Sequence, residues 1–266
     1  LNSFISIVLN LSEDHLERHK TLEKYFEIKE KIFNCAEHKL IHKNLDHLNK
    51  YSTFEVRDKM FLINDSVIDG LSITDCTHIS YSLRSYFIDG IHDLHNLCAS
   101  ISVLNIIGLS LENILSSFDK RKKLKHRVEK FFTFNGIKFI NDSKSTNADS
   151  TSNALKSLGN NIILIMGGDH KRMSYKNLTE LINDKVRILI MIGDNKDDLK
   201  KILHVNINQV CYEDLEHAIS YIFSVMVPGD TVLLSPGTSS YYVYDNYQHR
   251  GNHFKELVKK YASQQN

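Results

Sequence analysis

The sequence has no surplus of either charge: 33 Lys and Arg stand against 32 Asp and Glu, a net +1 over 266 residues. A nucleic-acid-binding domain usually shows a clustered basic excess, so that class is set aside. Cysteine is sparse. Cys35, Cys76, Cys98 and Cys211 lie far apart with no C-x-x-C pair, which argues against zinc and dithiol redox motifs and suits free thiols in a reducing compartment. No apolar run reaches the roughly 18 residues that a membrane span needs. Residues 1–11 are apolar but lack a basic leader and a cleavage signal. No G-x-x-x-x-G-K-[ST] phosphate loop occurs, nor any internal repeat. The first residue is not methionine, and residues 4–11 read as a parallel-sheet strand buried on both faces. Such a strand needs neighbours, so the expectation is a fragment of a longer protein.

What is present reads as α/β. A helix is expected over about residues 21–36, with Leu22, Tyr25, Phe26, Ile32 and Phe33 at helical spacing. Lys29 falls inside that stripe. It either snorkels, its stem covered and its ammonium in water, or is a desolvated amine able to react with carbon dioxide. Short strands are expected near residues 39–42 and 59–63, and short β segments within 65–86. A helix then runs to about residue 107, ended by Gly108. Another spans 111–118. The charge run 119–125 reads as a linker, which divides the chain into domains 1–123 and 124–266.

The second half alternates strand and helix. Strands are expected at 128–134, 137–141, 161–166, 186–192, 209–211 and 231–235. Helices are expected at 148–158, 176–183, 196–203, 215–226, 241–247 and 252–262. This spacing implies a Rossmann-like, mostly parallel sheet. Three strand ends then carry Gly, hydroxyl and charged residues: Asn141-Asp142-Ser143-Lys144-Ser145-Thr146-Asn147, Gly167-Gly168-Asp169-His170-Lys171 and Ser235-Pro236-Gly237-Thr238-Ser239-Ser240. In a parallel sheet these ends share one edge, where α/β folds bind ligands. For the first of them the bland alternative is a capped helix start with a solvated loop, Asn147 or Thr146 being the cap, and one such loop alone is unremarkable. Three on one edge favour a shared anion site.

These three stretches resemble the C-terminal domain of the Mur ligases, and within them the D-glutamate-adding branch. The ending from Tyr244 to Phe254 fits that branch too. Asn10 to His15, Gly90-Ile91-His92 and His126-Arg127-Val128-Glu129 resemble the family's central ATPase domain and inter-domain joint. The resemblance implies a cytoplasmic, monomeric ligase of peptidoglycan synthesis, tied to cell shape and cell division. It would use ATP and Mg2+ to join D-glutamate to UDP-N-acetylmuramoyl-L-alanine through an acyl phosphate. It further implies that His15 and Lys29, the latter as a carbamate, hold magnesium. Asn96, His126, Arg127, Asp142 and Lys144 would bind nucleotide. Thr146, Lys171, Ser240 and Tyr247 would surround D-glutamate. Asp93, Lys125 and Tyr247 stand where the family more often has Asn, Pro and Phe. The family's N-terminal domain and phosphate loop are absent from these residues, so the chain alone is expected to be inactive. A degenerate, non-catalytic binding module is the alternative; another Mur-type ligase or a folylpolyglutamate synthase fits the 141–147 motif less well.

Overall fold

The computed structural model describes residues 2–9, 11, 16–41, 62–63, 72–74, 80–82, 96, 99–101, 103–104, 106–118, 124–168, 175–194, 196–240 and 243–265. The chain divides into two compact units: Leu1–Ser12 with His19–Lys122, and Glu13–Arg18 with Lys123–Asn266.

In the first unit, β1 (Ser3–Val8) pairs in parallel with β2 (Ala36–Ile41). The expected burial of β1 on both faces is corrected: Ser6 and Val8 are buried, but Phe4 is 51% exposed, its ring edge-on to His38. In sequence the two strands are joined through α1 (Leu16–His19), of which only His19 belongs to this unit, then α2 (Leu22–Glu30) and a 3₁₀ turn, Lys31–Phe33. Thr21 caps α2, its hydroxyl accepting from the Lys24 N–H at 3.3 Å. The expected single helix over 21–36 is therefore shorter. Its last turn tightens to three residues per turn and Ala36 already belongs to a strand. That change of phase swings Ile32 off the buried stripe, leaving it 45% exposed, while Phe26 and Phe33 stay in the core.

Three short antiparallel strands follow: β3 (Leu62–Ile63), β4 (Ser72–Thr74) and β5 (Ser80–Ser82). The helical residues that precede Gly108 end as expected. Gly108 adopts φ +90° and the Leu109 N–H reaches back to the Leu104 carbonyl at 3.1 Å, the pairing of a glycine C-terminal cap. Next is α3 (Leu111–Phe118).

The second unit is a six-stranded sheet. Its strands are β6 (Glu129–Phe134), β7 (Ile137–Asn141), β8 (Ile162–Gly167), β9 (Val186–Ile192), β10 (Asn208–Tyr212) and β11 (Thr231–Leu234), ordered β10-β9-β8-β11-β7-β6. All pairings are parallel except β6 with β7. Those two form a hairpin through Asn135 and Gly136, both at positive φ, the conformation that matches strand twist. The connecting helices are α4 (Ala148–Lys156), α5 (Lys176–Lys185), α6 (Lys196–Leu203), α7 (Leu215–Val225) and α8 (Tyr247–Gln264).

Strand alternation sorts the core into two layers. Ile163, Ile165, Ile188, Ile190, Val232 and Leu234 face α7 and α8. Ile162, Leu164, Met166, Leu189, Met191 and Leu233 face α4, α5 and α6. Burial on both faces explains the unbroken apolar runs of β8 and β9.

One helix expectation is corrected. In place of helices at 241–247 and 252–262, one helix runs unbroken from Tyr247 to Gln264, capped by the Asn246 side chain accepting from the His249 N–H. Gly251, in the gap between the two expected helices, is there for closeness. A Cβ on it would lie 2.3 Å from His126 Nδ1 and 2.9 Å from the Asn141 amide.

Candidate functional site

The C-terminal ends of β7, β8 and β11 are tied into one piece by backbone hydrogen bonds. The Asp142 N–H donates to the Leu234 carbonyl (2.8 Å), Ser235 to Ile165 (3.2 Å), Gly167 to Pro236 (3.1 Å) and Gly237 to Ser145 (3.0 Å). Close approach is possible because the residues at the crossings are glycines. A Cβ on Gly168, at φ +133°, would sit 2.3 Å from the Ser239 carbonyl, and one on Gly167, at φ +130°, 2.1 Å from that of Ile192. The expected common edge is thus a single interlocked surface.

Asp142 lies beneath it, 4% exposed. Its Oδ1 accepts from the Val128 N–H (3.1 Å), and its Oδ2 from the hydroxyls of Ser145 (2.5 Å) and Ser235 (2.7 Å). Burial disfavours the carboxylate and pushes its pKa up to about 6, against the pull of those three donors and the Arg127 charge. Asp142 therefore organises the strand ends. It holds Val128 at φ +44°, a left-handed conformation that costs a β-branched residue about 1–3 kcal/mol. The Val128 side chain is buried in the core on the α4–α6 face, and the Arg127 side chain beside it is exposed.

His126 is buried and also left-handed, at φ +64°. Its backbone N–H donates to Glu129 Oε2 (2.9 Å) and its carbonyl accepts from the Lys144 N–H (3.1 Å). The Asn141 amide donates to its Nδ1 at 2.9 Å, which places the ring proton on Nε2. Burial, with Lys255 nearby, lowers its pKa. The same Asn141 amide approaches the Gly251 carbonyl (3.2 Å), and Asn141 Oδ1 accepts from the Ser143 N–H (3.1 Å). Asn141 thereby joins β7, the 141–147 turn and α8.

Of the groups around this layer, Lys144, Thr146 and Tyr247 are the more accessible. The Lys144 ammonium lies 4.1 Å from the centre of the Tyr247 ring, and the His126 ring meets the same tyrosine edge-on at 5.9 Å. Thr146 is half-buried. Asn147, not Thr146, caps α4, accepting from the Ser150 N–H at 2.9 Å. Ser240 is buried, its carbonyl accepting from the Tyr244 N–H. Among the described residues, the neighbouring hydroxyls of Thr238 and Ser239 are buried without a hydrogen-bond partner, donors that a ligand or water at this edge could satisfy.

So His126, Asp142, Lys144, Thr146, Ser240 and Tyr247 all belong to this edge or to the elements tied to it. Lys29 and Asn96 belong to the first unit. The Lys29 ammonium lies 4.8 Å from the centre of the Tyr25 ring on a half-buried side chain, and Asn96 is exposed, its carbonyl accepting from the Ser100 hydroxyl. A ring face suits an ammonium and repels an anion, so a carbamate at Lys29 would have to leave Tyr25. His15 and Lys171 lie outside the described residues, as do Asp93, Asp169 and His170. Among the described residues, no group of three or more His, Cys, Asp or Glu side chains is placed to hold a metal ion. No helix among them is long and apolar enough to cross a membrane.

Sequence reasoning passed over Arg250, the largest fully buried side chain, 1% exposed. A signal was available. Arg250, Phe254, Leu257, Val258 and Ala262 recur at helical spacing on the buried side of α8. A charge on an apolar stripe is the anomaly that singled out Lys29. Leaving residues 248–251 between two expected helices hid it.

The profile of the Mur ligase middle domain matches residues 1–104, and that of the Mur ligase glutamate ligase domain matches residues 126–238. The UDP-N-acetylmuramoylalanine–D-glutamate ligase of Prochlorococcus marinus (strain MIT 9312) is 32% identical over 271 residues, 96% of this chain and 58% of that protein. The same-named protein of Thermoanaerobacter sp. (strain X514) is 33% identical, over 96% of this chain and 60% of its own length. The chain thus spans less than two thirds of these relatives. Among solved structures, the MurF ligase of Thermotoga maritima in complex with ADP superposes with a TM-score of 0.71 at 14% identity, covering 100% of this chain and 63% of that one. A pseudomurein peptide ligase type C from Methanothermus fervidus gives 0.72 at 14%, covering 98% and 64%. With both parts of the chain matched by profiles of one family and the fold shared with its solved members, the chain belongs to the Mur ligase family.

Proposed function

We propose that the chain is the greater part of an ATP-dependent acid–amino-acid ligase that adds D-glutamate to UDP-N-acetylmuramoyl-L-alanine in cytoplasmic peptidoglycan synthesis. The observation that carries this is the continuous likeness, over 96% of the chain, to proteins bearing that activity in their names. The chemistry of the strand ends supports it. Lys144 and Arg127 supply cations suited to phosphates. Thr146, Ser240, Tyr247 and Lys171 supply the hydroxyls and cation that a dicarboxylate needs. Asn96 is assigned to adenine.

In the proposed reaction a carboxylate oxygen of the acceptor attacks the γ-phosphorus of ATP and ADP departs. The amine of D-glutamate, having lost its proton, attacks the acyl carbon. The tetrahedral intermediate collapses to an amide and releases phosphate. When bound, magnesium neutralises charge on the transferring phosphate, and His15 with Lys29 as a carbamate are the residues assigned to it. Asp142 is not assigned proton transfer: its oxygens are committed to Val128, Ser145 and Ser235. Its part is to fix the turn that carries Lys144.

The test joins this chain to the portion of the Thermoanaerobacter relative that it does not span. The fusion is then assayed for amide formation from UDP-N-acetylmuramoyl-L-alanine, D-glutamate and ATP. Ligation of D-glutamate and not L-glutamate is the expected result. No product from a folded fusion, with D-glutamate still perturbing the Thr146 and Ser240 amides of residues 1–266, would replace the ligase reading by that of a binding module.

A further inference from the structure

Arg250 occupies a position where an apolar side chain would cost less. It projects from α8 into the joint between the 141–147 and 235–240 turns and is almost fully buried. Burial lowers its pKa to about 10, still far above neutrality, so it is a buried cation. Among the described residues no carboxylate forms an ion pair with it. Its donors go to neutral oxygens. Nε donates to Ser143 Oγ (3.0 Å), Nη2 to the Ser143 carbonyl (2.9 Å) and Nη1 to the Ser239 carbonyl (3.1 Å); both Nη atoms also lie 3.4 Å from the Thr238 carbonyl. A guanidinium so placed is expensive to bury and rigid in geometry. Filling space would not require it.

The contact that gives it a task is Ser143. With its oxygen accepting from Arg250 Nε, the Ser143 hydroxyl proton donates to the Tyr247 carbonyl at 2.9 Å. Tyr247 is the first residue of α8, and on its ring sits the Lys144 ammonium. We propose that Arg250 is a positioning residue: through Ser143 its guanidinium sets Tyr247, and so the seat of the Lys144 ammonium, at the strand-end site. The same fork fixes the turn leading to Ser240. With its donors given to protein oxygens, Arg250 is assigned no ligand contact. It makes two turns, far apart in sequence, present their groups to one molecule. The placement of Lys144 stands on the geometry alone; its use on a nucleotide or D-glutamate rests on the ligase reading above.

The ring current of Tyr247 provides a readout that general stability does not move. In residues 1–266 the Lys144 ε-methylene protons, identified by their loss in Lys144→Ala, are expected upfield of those of the other lysines. In Arg250→Met and in Ser143→Ala they are expected to return to the ordinary lysine position while β8 and β9 amides keep theirs. Arg250→Lys should not rescue, since one ammonium cannot span Ser143 Oγ and the Ser143 carbonyl as the fork does. Thermal stability of Arg250→Met does not separate the roles, since losing the buried charge and losing its hydrogen bonds act in opposite directions, and Ser143→Ala keeps the test open if Arg250→Met does not fold. An unshifted upfield signal in folded Ser143→Ala or Arg250→Met overturns the proposal. If wild type binds D-glutamate, both variants should weaken it about tenfold, the worth of one well-placed charge-assisted contact. If wild type binds none, yet the upfield signal is lost in the variants, positioning stands and the ligase reading falls.

Discussion

Asp142 shows how one buried side chain can act against the stability it organises. Its pKa is raised from 3.8 to about 6 in the folded chain, so between those values the folded state holds a proton that the unfolded state has released. Stability from this group is therefore full below about 3.8 and is lost as pH rises through about 6, by about 3 kcal/mol in all. His126 works in the other direction. Its pKa is lowered by burial, so its contribution is present above the ordinary histidine value and is lost as pH falls. In Asp142→Asn the decline in stability between pH 4 and 6 should disappear, leaving the histidine slope; denaturant titrations across that range measure it. An unchanged slope would mean that Asp142 titrates as an exposed carboxylate.

Lys29 poses a different question at the same scale. Its anomaly was legible from spacing, but spacing could not say whether the amine meets solvent, ring or metal. The structure seats it on Tyr25. If the carbamate forms, 13C-bicarbonate should give a carbamate carbonyl resonance that Lys29→Arg lacks, and Tyr25→Leu should strengthen it by removing the competing ring. No resonance in the ligation-competent fusion with magnesium present would retire the carbamate.

At the scale of elements, the periodic signals were the most readable. Runs alternating apolar and polar, or wholly apolar and flanked by turn residues, located β6 to β11 to within a residue or two, and Gly108 marked a true cap. The helix ends were less readable where tertiary contact overrode local preference. The 3₁₀ turn after α2 answers to β2, and the continuity of α8 answers to a neighbour far away in sequence. Gly251 makes the second case measurable. In an isolated helix, alanine there would stabilise by about 1 kcal/mol. Here its methyl would collide with His126 and Asn141, an overpacking that costs about 1–3 kcal/mol. Gly251→Ala should therefore destabilise the second unit despite its helix propensity. A gain in melting temperature would show that α8 can slide to make room.

The far end of the sheet is held by charge. Arg187 at the start of β9 donates through Nε and Nη2 to Asp230, which also accepts from the Val227 N–H and is 2% exposed. Asp230→Ala leaves a half-covered guanidinium and a buried N–H without partners. A loss near 3 kcal/mol is expected, read as a lower denaturation midpoint. A neutral result would make the pair incidental.

At the scale of the molecule, the two units carry different parts of the proposed chemistry. The strand-end site was legible because polar residues concentrate at strand ends. Its supporting layer of Asn141, Ser143, Arg250 and Gly251 was not, since each reads as ordinary until the fold brings residues about a hundred positions apart together. Residues 1–266 contain no phosphate loop, so purified chain is expected to show no magnesium-dependent ATP hydrolysis, while the fusion described above should. Robust hydrolysis by the chain alone would require a phosphate site of another kind. Domains 1–123 and 124–266 remain a proposal at this scale too, and two resolved calorimetric transitions would support that division where a single one would not.

The strand order has a consequence for how the protein is made. β11 lies between β7 and β8, so the centre of the sheet is the last strand to be synthesised. Until Thr231–Leu234 leave the ribosome, the β6–β7 hairpin and the β8–β9–β10 block are two pieces with a strand-wide gap between them, each exposing unpaired backbone along it. Only when β11 enters do both edges find a partner, and the loop that follows it then locks Gly167 and Ser145. A nascent chain stopped short of residue 231 should therefore remain protease-sensitive through β7 and β8 alike, although both were complete long before, and acquire resistance in both together once the last strand has emerged.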